Sequence, residues 1–96
     1  FTALVRVYLE DTPKNIQLLQ QAAGRQDVSA LIAPSHSLKS TSANLGALKL
    51  AELAKRIEHE ARSAALADPV GVVRDLTQEY GRVAVELKNL LARSGA

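Results

Sequence analysis

Val73, Leu76, Tyr80, Val83, Leu87 and Leu90 recur at alternating spacings of three and four residues, and this rhythm constrains the chain most. Side chains at those intervals share one face of an α-helix, whereas a half-buried strand needs strict alternation. Three further stretches carry the same period. From about Thr2 to Ala23 it runs through Val5, Leu9, Thr12, Ile16, Leu19 and Ala23. Pro13 lies inside that stretch, yet the phase is kept across it, so one helix is expected rather than two. Gly24 is placed to end it in a left-handed conformation. A second helix is expected after Asp27 or Ser29, with Val28, Leu31, Ser35, Leu38, Ser42 and Leu45 inward and Gly46 closing it. A third spans about Ala47 to Ala65, burying Leu50, Leu53, Ala54, Ile57, Ala61 and Ala64. Glu52 with Arg56, and Glu58 with Arg62, form i,i+4 pairs on its outer side. Asp68-Pro69 then reads as an N-cap followed by proline at the first helical position, opening the last helix, which fades at Ser94-Gly95-Ala96.

Four amphipathic helices with short connections predict an all-α, antiparallel up-down-up-down bundle. The composition agrees: 47% of residues are hydrophobic, but one Phe and two Tyr leave the packing to aliphatic side chains. At 96 residues the sequence is expected to be a single domain, 1–96. It begins at Phe1 already in helical register, which suggests excision from a longer protein. Cysteine is absent, which excludes disulfides and thiolate zinc sites and fits a cytoplasmic setting. No apolar run reaches the length of a membrane span. With 12 basic and 10 acidic residues intermixed, the net charge is +2, and no basic block with interleaved aromatics points to nucleic acid.

One local feature departs from an ordinary bundle surface. Between Asp27 and Glu52 there is no acidic residue, and His36 and Lys39 fall inside that window. At roughly 100° per residue, Leu38 and Leu45 stand about 160–180° from His36 on a helical wheel. With Leu38 as a structural core residue, the imidazole points outward, beside Ile32, Ala33, Lys39, Ser40 and Ala43. Small neighbours let another protein approach closely, and Ile32 offers it an apolar contact. A neutral imidazole leaves one ring nitrogen as a nucleophile, and Lys39, one turn on, is placed to neutralise phosphoryl oxygens. A lone histidine on a polar face is usually only solvated, so it is the joint spacing that carries weight. His59, flanked by Glu58 and Glu60, reads as a solvated histidine rather than a metal ligand, and Tyr8 and Tyr80 as core or boundary residues.

The run His36-Ser37-Leu38-Lys39-Ser40-Thr41-Ser42-Ala43-Asn44-Leu45-Gly46 resembles the signature of histidine-containing phosphotransfer (HPt) domains. That family carries Leu two, Lys three, usually Gly four, and Gly ten residues after its phosphorylated histidine. Tyr8 to Pro13 and Arg56-Ile57-Glu58 are similar to its flanking helices. The Ser-Ala-Asn-Leu-Gly ending resembles the version at the C-terminal end of bacterial hybrid sensor kinases. The resemblance implies that His36 is the phosphoacceptor of a phosphorelay, with Lys39 neutralising the phosphoryl group and Ile32, Ala33 and Ala43 on the partner-facing surface. Partners would be response-regulator receiver domains, which supply Mg²⁺; this chain would need no cofactor or metal. It would be a phosphoryl carrier rather than an enzyme with a nucleotide site. A monomeric, cytoplasmic domain is implied, its parent anchored in the inner membrane.

Two positions depart from the family pattern. Ser40 stands where Gly is usual; its hydroxyl either bonds the phosphoryl group or the histidine, or bonds back to the His36 carbonyl. Pro34 removes the amide that would reach the Ala30 carbonyl, so it either bends the second helix or starts a new segment. Two other functions compete. A histidine kinase dimerisation segment would carry an acid directly after the histidine and a proline soon after; here Ser37 follows and the next proline is Pro69. A helical adaptor would take up no phosphoryl group.

Overall fold

The computed structural model describes residues 1–94; Gly95 and Ala96, where the last helix was expected to fade, lie outside them. Four α-helices follow one another: α1 (Thr2–Gly24), α2 (Ile32–Asn44), α3 (Leu48–Arg62) and α4 (Pro69–Arg93), with one 3-10 turn, Val28–Leu31, ahead of α2. α1 packs on α2 and α4, and α3 packs on the same two, which closes a four-helix bundle. Its long dimension is 45 Å against 20 and 16 Å across.

Each stripe read from the sequence supplies part of one core. Leu19, Leu31, Leu38, Leu50, Ala54 and Leu76 have no exposed surface at all. α1 runs unbroken through Pro13, as the phase of its stripe required. Tyr8 takes the buried place near its start, and Leu9 is half-buried. The hydroxyls of Tyr8 and Ser42 lie 2.8 Å apart in the interior, tying α1 to α2. Tyr8 also packs against the half-buried Tyr80 of α4, with ring centroids 6.1 Å apart.

Pro34 resolves in favour of a new segment. It is the third residue of α2, where an amide has no intrahelical acceptor, so its missing N–H costs the helix nothing. The preceding turn is 3-10, capped by the Asp27 carboxylate, which accepts from the Ala30 amide. At the other end Gly46 adopts φ +79°, and the Ala47 amide bonds the Ser42 carbonyl at 2.9 Å to close α2. Asp68 caps α4 through the Gly71 amide at 3.0 Å, with Pro69 at the first position.

Three expectations need correction. Gly24 is still helical; the left-handed residue is Gln26, at φ 57°, because the closing bond runs from Asp27 to Ala22, two residues later than assumed. Ala64 is exposed rather than inward: α3 stops at Arg62, and Ala64 turns the chain at φ 54°. Leu90 is 39% exposed although it continues the stripe of α4.

Candidate functional site

α2 divides its residues between two faces, and the signature motif straddles both. Leu38 and Ser42 are buried without residue, while His36, Ser37, Ser40 and Ala43 are exposed. The outward angle inferred from the helical wheel is therefore correct: the His36 side chain is 56% exposed. Ala33 is exposed on the same side. Ile32 is half-buried against the core, so only part of it faces a partner. Back-bonding from hydroxyls occurs on this helix, but at Ser35, to Leu31 and Ile32, and at Thr41, to Ser37 and Leu38.

The acid-free window holds along the chain and fails in space. Glu58 of α3 meets the site across the α2–α3 interface. Its Oε2 accepts from His36 Nδ1 at 2.8 Å, and its Oε1 pairs with Lys39 Nζ at 2.9 Å. Arg62, one turn further along α3, donates from Nε at 3.1 Å and Nη2 at 2.9 Å to the same Oε2. The Glu58 side chain is only 8% exposed. Lys39, hydrogen-bonded to it, does most to pull its carboxyl down to about 2; burial opposes that, and Arg62 and His36 add to the lowering. The carboxylate is thus ionised at neutral pH and is the acceptor for both His36 and Lys39.

From sequence this anchor falls in the family-like run Arg56-Ile57-Glu58 and is expected on the outer side of the helix, as the partner of Arg62. The signal that exposes it is positional: Ala51, Ala54, Glu58 and Ala61 follow the three-four rhythm, so Glu58 occupies a place in the inward stripe. A charge there has to find partners on a neighbouring helix. His59, one residue on, is exposed.

The arrangement distinguishes the two ring nitrogens of His36. With Nδ1–H donated to a carboxylate, the proton is held on Nδ1 and the Nε2 lone pair is left free. A groove of about 300 Å³ runs between α1 and α2, lined by Leu4, Val7, Asp11, Asn15, Ser37 and Thr41 among others. Leu4 and Val7 are about half exposed there, so α1 lends this groove an apolar wall. Among the described residues, no group of three or more His, Asp or Glu side chains is arranged to hold a metal ion.

Residues 3–95 match the family model described as Hpt domain. The chain belongs to the Hpt domain family. Among solved structures, histidine-containing phosphotransfer protein B (HptB) from Pseudomonas aeruginosa PAO1 is similar to this Hpt domain with a TM-score of 0.90. The two are 27% identical over 96% of this chain and 80% of that one. No curated protein sequence matched. The Hpt domain therefore carries phosphoryl groups in a two-component phosphorelay, exchanging them with receiver domains. None of the helices among its described residues is long and apolar enough to cross a membrane.

Proposed function

We propose that His36 is the phosphoacceptor and that Nε2 is the atom that carries the phosphoryl group. The observation that supports it most is the 2.8 Å bond from Nδ1 to Glu58 on an otherwise exposed imidazole. Nε2 attacks the phosphorus of a receiver's aspartyl phosphate, the P–O bond breaks, and the aspartate leaves with the electron pair. Positive charge develops on the ring as the P–N bond forms, and the ionised Glu58 stabilises it through the proton retained on Nδ1. The same proton keeps the ring a good leaving group, so the phosphoryl passes on to a second receiver by the reverse chemistry. Lys39 approaches the phosphoryl oxygens from one turn along α2, and the small Ala33, Ser40 and Ala43 let the receiver close over the site. The Ser40 hydroxyl is available as a hydrogen-bond donor to the incoming group.

The receiver contributes the Mg²⁺ that neutralises the phosphoryl in transit, and this chain requires no cofactor of its own. It works as a monomeric carrier with no catalytic turnover and no affinity for nucleic acid. The Ser-Ala-Asn-Leu-Gly ending of the motif favours a cytoplasmic domain of a hybrid sensor kinase. Incubation with a phosphorylated receiver and Mg²⁺ tests the assignment, with acid-labile, alkali-stable phosphate as readout. Wild type should incorporate it and His36→Gln should not; equal incorporation sinks the assignment.

A further inference from the structure

We propose that Arg62 is a second phosphoryl-binding residue, stored on Glu58 while His36 is unmodified and turned onto the phosphoryl group once Nε2 carries it. The proposal rests on the assignment of His36 as phosphoacceptor.

Arg62 belongs to no part of the eleven-residue motif; tertiary packing alone brings it to the site. Its Nε and Nη2 reach the same carboxylate oxygen as His36 Nδ1, at 3.1, 2.9 and 2.8 Å. Guanidinium and imidazole therefore flank one atom. Three N–H groups compete for Oε2, whereas Oε1 is taken by Lys39. A single buried carboxylate is already neutralised by Lys39, so the second cation exceeds what Glu58 requires. Arg62 is also the freer of the two: its side chain is 58% exposed against 33% for Lys39.

A phosphoryl group on Nε2 changes the balance. It brings up to two negative charges and three acceptor oxygens to within a side chain's reach of a crowded carboxylate oxygen. A guanidinium donates to two such oxygens at once, and this bidentate geometry favours phosphate over its shared place on Oε2. The exchange moves no proton. His36 keeps its Nδ1–H on Glu58, the P–N bond is untouched, and Arg62 trades one acceptor for another. Relieved of Arg62, the Oε2 of Glu58 serves the ring alone.

Potassium phosphoramidate serves as the phosphoryl donor for the test: His36 Nε2 takes the phosphoryl group and ammonia leaves. Two signals are followed by NMR, the Arg62 Nε–H resonance and the ³¹P titration of the phosphohistidine. On phosphorylation the wild-type Arg62 resonance should move. The ³¹P midpoint should rise by roughly half a unit in Arg62→Gln, the effect of one partly screened charge. Arg62→Lys should recover most of that shift, which a purely structural ion pair would not. A phosphorylated His36 with an unmoved Arg62 resonance and an unchanged midpoint overturns the proposal while leaving the phosphoacceptor assignment intact. No acid-labile phosphate on His36 from either phosphoramidate or a phosphorylated receiver defeats both. If Arg62→Gln does not fold, the wild-type resonance decides alone.

Discussion

Glu58 reaches across 22 residues of sequence to hold the Nδ1 of His36 at 2.8 Å, and it does so from an almost fully buried position. The imidazole is thereby oriented by the core although more than half of it lies in solvent. Nitrogen NMR should find the neutral His36 ring protonated on Nδ1. Glu58→Gln keeps an acceptor but removes the charge that stabilises the ring during attack. It should slow phosphoryl uptake by roughly tenfold, the difference between a charge-assisted and a neutral hydrogen bond. Unchanged kinetics in that variant would remove Glu58 from the mechanism.

Lys39→Ala should leave the bundle folded and slow transfer, because Arg62 still neutralises Glu58 while the cation proposed to meet the phosphoryl group is lost. Circular dichroism and uptake kinetics separate the two effects. Global unfolding would mean that the Lys39–Glu58 pair is a structural requirement instead.

Acid should reveal the same cluster thermodynamically. The Glu58 carboxyl titrates at about 2 in the fold against 4.5 for an unperturbed group. Glu79, held down chiefly by Arg82, shifts in the same direction. Between these limits the unfolded chain binds more protons, so the contribution is complete above 4.5 and is lost as pH falls towards 2. Urea denaturation across that window should show stability declining, with a shallower slope in Glu58→Gln. Identical slopes would show that the carboxyl is unshifted.

The buried Tyr8–Ser42 pair assigns Ser42 a structural part inside the motif. Tyr8→Phe strips a buried hydroxyl of its partner and should cost about 1–2 kcal/mol. Ser42→Ala on that background should recover part of the loss, giving a coupling of about 1 kcal/mol in a double-mutant cycle. Phosphoryl uptake should be unaffected in both single variants.

The helix ends offer a matched pair of substitutions. Ala64 sits at φ 54° and Gly46 at φ 79°, each left-handed, but only one is glycine. Ala64→Gly should stabilise the fold by about 0.5–1 kcal/mol, and Gly46→Ala should destabilise it by about 1 kcal/mol. In thermal melts, shifts of opposite sign and a few degrees each are expected; a fall for Ala64→Gly would contradict the strain argument.

Periodicity carried most of the fold. The stripes of α1 and α4, the continuity of α1 through Pro13 and the Asp68-Pro69 start were legible because helix geometry is local: three-four spacing places side chains on one face whatever lies opposite. The same local rule turned His36 and Lys39 outward. Where sequence reading went astray, the outcome depended on a neighbour. Gly24 and Ala64 were misplaced because a helix end is set by which carbonyl the closing amide reaches. The surroundings of His36 were misread because an acid-free stretch of α2 says nothing about α3. Sequence alone determined that a histidine with small neighbours stands on the outside of a helical bundle. Only tertiary structure decided that a buried carboxylate 22 residues away holds its Nδ1 and gathers Lys39 and Arg62 beside it, since a charge in the inward stripe must find its partners across a helix interface.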